Sequence, residues 1–165
     1  MPVPTVEQWE SIARGFEKEW QFPNCIGSLD GKHVAIQAPP RSGSAYYNYK
    51  GFYSIVLLAV VDAYKCFIVI DVGGYGKNSD GGILNASVLG QSLESGKLNI
   101  PANKPLPKTN DPLPHVFVED EAFPLKTNIR NRIPERKQKI PLQSACLIID
   151  YLEREIPSKM PLEFW

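Results

Sequence analysis

Apolar residues change their spacing several times along this chain, and each change marks an element. Val6, Trp9, Ile12 or Ala13, Phe16 and Trp20 recur at helical intervals, which predicts an amphipathic helix over residues 5–20. Thr5 suits the N-cap, and Gln8 three residues later completes a capping-box pattern. Pro23 follows the helix and leads into an extended run, Ile26 to Gln37. Phe52 to Val61 is apolar at nearly every position, as in a strand covered on both faces. Cys66 to Val72 forms a third run, separated from the second only by Asp62-Ala63-Tyr64-Lys65, a connection of hairpin length. Gly73-Gly74-Tyr75-Gly76 breaks that pattern, and Asp80 to Leu93 then predicts a helix with Ile83, Leu84, Val88 and Leu93 on one face. A proline-rich linker over 101–114 leads to a fourth strand, His115 to Val118. Leu142, Ala145, Cys146, Ile149, Leu152 and Ile156 make one stripe of a last helix over 141–156, with Glu153 at its edge. Pro157 to Trp165 reads as a tail.

Strands followed by helices in one chain of 165 residues predict a single α/β domain. It divides into an N-terminal helix over 1–22, a core over 23–133 and a divergent segment over 134–165. The 15 prolines gather in connections rather than in the apolar runs. No apolar run reaches the roughly 18 residues of a spanning helix, and the N-terminus lacks a secretory pattern, so a protein that is not secreted is expected. Cys25, Cys66 and Cys146 are too few and too widely spaced for a disulfide framework, which favours reduced thiols. With only His33 and His115 beside them, there is no zinc-ligand spacing, so oxygen is the expected ligand for any metal. The net charge of zero removes the global basic excess of many DNA-binding proteins. A local cluster remains, comprising Lys126, Arg130, Arg132, Arg136, Lys137 and Lys139. It reads either as a solvated face or as a phosphate-contacting or nuclear-targeting patch.

Two acids draw attention because each lies where an apolar run meets polar sequence. Asp30 sits in Gly27-Ser28-Leu29-Asp30-Gly31-Lys32-His33-Val34, and Asp120 follows His115-Val116-Phe117-Val118-Glu119. Carboxylates brought together from neighbouring strands hold hard divalent cations well, although acids at strand ends also serve in turns. Asp80 suits an N-cap more than a ligand place, Asp62 and Asp71 suit turns at strand ends, and Glu119 and Glu121 alternate with Asp120 and so face away from it. Lys32 and Lys50 are candidate phosphate contacts. Solvent exposure is the plainer reading for Lys32 and His33, and packing or turn roles for the tyrosines around Lys50.

The motif around Asp30 does not stand alone. Tyr46-Tyr47-Asn48-Tyr49-Lys50-Gly51-Phe52-Tyr53-Ser54, Val60-Val61-Asp62-Ala63, Gly76 to Ser87 and Asp120-Glu121-Ala122-Phe123-Pro124-Leu125 follow it in order. Over roughly residues 9 to 130 the chain resembles the catalytic domain of Harbinger-type (PIF/Harbinger) transposases, a group of DDE-superfamily endonucleases. The resemblance implies an RNase H-like fold, in which three antiparallel strands and further strands form a mixed sheet flanked by helices. It also implies a nuclease site in which three acids hold two divalent cations, Mg²⁺ or Mn²⁺, for phosphodiester chemistry on DNA. Asp30 corresponds to the first acid and Asp120 to the second. After Arg132-Ile133-Pro134 the sequence departs from the family pattern, and the third-acid context is missing. Glu153, 33 residues past Asp120 (153 − 120), is the candidate for that place. The C-terminal part therefore reads as incomplete. Such transposases work with a separate Myb-like DNA-binding protein, which implies DNA and that protein as partners and the nucleus or cytoplasm as location. Two functions follow: a metal-dependent DNA endonuclease, impaired if the third acid is absent, or a non-catalytic remnant that binds metal or protein.

Overall fold

A computed structural model of the chain describes residues 2–119 and 128–131. The helix α1 (Val6–Trp20) begins at Thr5, whose hydroxyl accepts the Gln8 amide while the Gln8 side chain accepts the Thr5 N–H, the capping box that the sequence predicts. It ends on Gln21 in the left-handed region, where the chain turns toward Pro23.

The strands β1 (Cys25–Ala35), β2 (Ser54–Val61) and β3 (Phe67–Tyr75) form an antiparallel meander. β2 is buried almost throughout, so its unbroken apolar run reports a central strand. β3 is the exposed edge, and it continues through Gly73 and Gly74, where the sequence suggested a break. Gly73, at φ +109°, is the unpaired residue of a bulge: Val72 faces Leu57 and Gly74 faces Val56. Asp71 consequently lies within the strand, opposite Leu58, rather than at a strand end. Asp62 does form the expected turn, its Oδ1 accepting the N–H groups of Tyr64 and Cys66.

The helical stretch after residue 79 is two short helices, α2 (Asp80–Ala86) and α3 (Val88–Glu94), not one. Ser87 separates them. Its N–H closes α2, and its hydroxyl accepts the Gly90 N–H to open α3. Ser79, not Asp80, caps α2. The proline-rich stretch contains a two-residue pair, β4 (Lys104–Pro105) with β5 (Pro112–Leu113). β6 (Val116–Glu119) and β7 (Ile129–Asn131) complete the main sheet.

The sheet order is β3-β2-β1-β6-β7, with β6 parallel to β1 and β7 parallel to β6. Three antiparallel strands extended by parallel ones are the expected RNase H-like arrangement. The core is built on Trp9, Ile26, Leu29, Leu58, Leu84, Phe117 and Ile129 between the sheet and the helices. Trp9 is fully buried, meets Phe117 edge-to-face at 5.8 Å, and donates its indole N–H to the Leu98 carbonyl at 2.6 Å. The predicted helix over 141–156 and the segment that reads as incomplete lie outside the described residues. Among the described residues no helix is long and apolar enough to cross a membrane.

Candidate metal and nuclease site

β1, β6 and β7 run in the same direction, so their carboxyl ends open at one edge of the sheet. In open α/β sheets, ligands bind outside the carboxyl ends of parallel strands. The recorded β1–β6 pairing ends at Ser28 beside Val118, while β1 continues to Ala35 against β2 alone among the described strands. Asp30 is the second residue past that last pair. Only 8% of its surface is exposed, and its Oδ1 accepts the Gly31 N–H at 2.8 Å.

On the other face of β1 the first turn of α2 closes over the strand. A side chain at Gly31 would place Cβ 2.5 Å from Asp80 Oδ1, so the missing side chain lets this carboxylate approach the backbone beside Asp30. Glu119 ends β6 on the same end of the sheet and is 1% exposed. In the sequence Asp80 suited a cap more than a ligand, and Glu119 alternated with Asp120 and so faced away from it. The signal for Asp80 was Gly31 itself, a glycine inside an otherwise regular strand.

His33 is another departure from expectation, because it is buried rather than exposed. Its Nδ1 lies 2.9 Å from Ser54 Oγ, which also accepts the Asn48 amide at 2.8 Å. The Asn48 Oδ1 accepts the N–H groups of Lys50 and Phe52, which fixes its amide with nitrogen toward Ser54. Ser54 Oγ thus accepts the Asn48 amide and also pairs with His33 Nδ1, where the ring's tautomer sets which of the two donates. Burial, helped by the Lys50 charge, holds the His33 pKa below the ordinary histidine value. Lys32 is half-buried on β1, and Lys50 is exposed with its ammonium 5.5 Å from the Tyr49 ring centre.

Of the acids singled out in the sequence, Asp120 and Glu153 lie outside the described residues. So does the basic cluster, apart from the backbone of Arg130 in β7. Among the described residues no three His, Cys, Asp or Glu side chains group closely enough to hold a metal ion. The donor set that is described, a buried strand carboxylate, has the hard oxygen chemistry of Mg²⁺ or Mn²⁺ rather than the thiolate or imidazole chemistry of zinc. Cys25 is fully buried, and burial pushes its thiol up to about 12. A polar cleft of about 300 Å³, lined by Glu10, Arg14, Asn24, Lys104 and His115, lies at the opposite, amino end of the parallel strands.

The pattern of the DDE superfamily endonuclease family matches residues 29–148, starting one residue before Asp30. The chain belongs to that family. Its relatives include the rat protein named "Putative nuclease HARBI1", 34% identical over 75 residues, which are 46% of this chain and 22% of the rat protein. The human protein of that name is 32% identical over the same length. The Arabidopsis thaliana protein named "Protein ALP1-like" is 30% identical over 118 residues, 70% of this chain and 29% of that protein. The match thus spans less than a third of the length of these curated relatives. No solved structure matches the chain.

Proposed function

We propose that this chain is the core of a transposase-derived, Harbinger-type DNA endonuclease in which Asp30 and Asp120 hold a divalent cation, Mg²⁺ or Mn²⁺. The observation that carries the reading is the match to the DDE superfamily endonuclease family over residues 29–148, a span that includes both aspartates. Asp30 is buried on β1 two residues past the last pair of that strand with β6, and Asp120 directly follows β6 in the sequence.

A cation held there supplies positive charge to a phosphodiester and to the oxygen leaving it. The chain's own contribution is placement. β1 fixes Asp30 through eight paired positions with β2, and the Gly31 N–H orients its carboxylate. Glu153 is the candidate third acid, and Lys32 is a candidate contact to the DNA backbone. A separate Myb-like protein is the partner that the Harbinger resemblance supplies for target recognition and nuclear entry.

The test is nicking of supercoiled plasmid by the purified chain with Mg²⁺ or Mn²⁺, compared with Asp30→Asn, Asp120→Asn and Glu153→Gln. Metal-dependent nicking that disappears in both aspartate variants supports the proposal. Nicking retained by Asp30→Asn refutes it. No nicking by the parent chain, with metal binding intact, favours the second reading, a non-catalytic remnant that keeps the site.

A further inference from the structure

The chain is neutral overall, yet its charge is unevenly spread. From Gly31 to Val61 it carries Lys32, Arg41 and Lys50 and neither an Asp nor a Glu. The same stretch holds Tyr46, Tyr47, Tyr49 and Tyr53, four of the chain's seven tyrosines. The structure folds them into one hairpin-like loop that leads into β2. Tyr47 bridges Tyr53, the Ser54 N–H meets the Tyr46 carbonyl at 2.8 Å, and the Asn48 N–H meets the Phe52 carbonyl at 2.9 Å.

The tyrosines divide into two kinds. Tyr46 packs edge-on against Tyr75 at 5.1 Å, and Tyr47 packs against Tyr53 at 5.2 Å. Tyr49 is 82% exposed at the tip, touching His33 edge-on at 5.6 Å. A single exposed aromatic is ordinary on a protein surface. This one is held out on a fixed loop. The buried Asn48 side chain ties down the backbone on both sides of the tip, through Lys50 and Phe52, and Gly51 takes the left-handed turn between them. Lys50 lies over the Tyr49 ring, and exposed Lys77 joins the loop through its N–H to the Ala45 carbonyl. Among the described residues neither Lys50 nor Lys77 is ion-paired with an acid. His33 is three residues beyond Asp30 on β1, roughly 10 Å of strand.

We infer that this loop is a nucleic-acid platform in which Tyr49 stacks on an unpaired base and Lys50 contacts the adjoining phosphate. The inference rests on the endonuclease reading for its substrate and adds to it the local form of that substrate, a strand with bases splayed out of the duplex. An exposed ring recognises any base through its π face, while a nearby cation follows the backbone. Duplex DNA offers phosphates to Lys50 but no free base face to Tyr49. Anchoring the tip before binding lowers the ordering cost that a mobile loop would carry.

The test is fluorescence anisotropy of the whole chain in EDTA, which stops cleavage, with a single-stranded oligonucleotide and with the same sequence as a blunt duplex. The parent chain is expected to bind the single strand more tightly. Tyr49→Ala should weaken that binding about tenfold or more, Tyr49→Phe should restore it, and duplex binding should hardly change. Lys50→Ala should weaken both and flatten the dependence on log salt by about 0.7 on the single strand. Exposed Tyr64, on the distant β2–β3 turn, provides the control, and Tyr64→Ala should bind like the parent. Thermal unfolding confirms that each variant is folded. Binding to DNA that Tyr49→Ala leaves intact overturns the platform and spares the endonuclease reading. No binding of the parent chain to the single strand overturns the platform, and the endonuclease reading is then decided by the nicking assay with metal.

Discussion

Replacing Asn48 by Ala removes three hydrogen bonds from a side chain that is only 3% exposed. Two go to the N–H groups of Lys50 and Phe52, and one to Ser54 Oγ. Each intramolecular bond contributes about 1 kcal/mol net. The Lys50 and Phe52 amides lie near solvent, so water replaces part of their loss. The Ser54–His33 pair is buried, and there the cost is close to full. Asn48→Ala should therefore lower stability by about 2–3 kcal/mol, a large share of the roughly 5–15 kcal/mol typical of a domain. Urea denaturation, with midpoint and slope compared between the two proteins, measures it. Asn48→Asp is the sharper variant. It keeps the two backbone bonds but presents an acceptor to Ser54, so the Ser54 proton turns toward the carboxylate and His33 must donate from Nδ1. Imidazole nitrogen shifts should report Nδ1–H in the variant. A stability loss below about 0.5 kcal/mol in Asn48→Ala, against that expected sum, refutes the network. So does a His33 ring without a proton on Nδ1 in Asn48→Asp.

Burial holds both His33 and His115 below the ordinary histidine pKa, so each folds preferentially in its neutral form. Their contribution is fully present above the unfolded value near 6.5 and is lost as pH falls through the lower folded values. Denaturation midpoints should drop as pH falls below about 6.5, and His33→Gln should flatten that drop; a midpoint independent of pH there contradicts the assignment. Trp9→Phe leaves the Leu98 carbonyl without its 2.6 Å indole donor in a closed core and should cost about 2–4 kcal/mol by chemical denaturation. Peptide-level alkylation should label exposed Cys66 in the folded protein and buried Cys25 only after unfolding. Rapid native labelling of Cys25 would show its strand to be open.

Most of the sheet was legible because strand period, strand order and the α1 cap are local signals. Thr5 and Gln8 read correctly because a capping box closes within four residues. The errors share a cause. Gly73 looked like a terminator because a glycine pair usually ends a strand, whereas here a bulge absorbs its positive φ and β3 goes on. Ser87 divides one apolar stripe into α2 and α3, and a stripe does not reveal which serine will cap. β7 is three residues long and pairs only across the sheet, so no period announced it. At the candidate site, the motif alone singled out Asp30. The closeness of Asp80 to Gly31 and the burial of His33 depend on α2 and the loop before β2 folding onto β1, contacts between positions far apart in sequence.

The central claim is that two carboxylates, Asp30 and Asp120, hold one cation. Manganese titration followed by electron paramagnetic resonance, on the parent chain and on Asp30→Asn, Asp120→Asn and the double variant, tests this without requiring turnover. The account predicts saturable Mn²⁺ binding that each single change weakens about tenfold or more, with the double variant little worse than either. Thermal unfolding without metal should show all four proteins folded. Mn²⁺ binding that survives in Asp30→Asn, or that is absent from the folded parent chain, contradicts it.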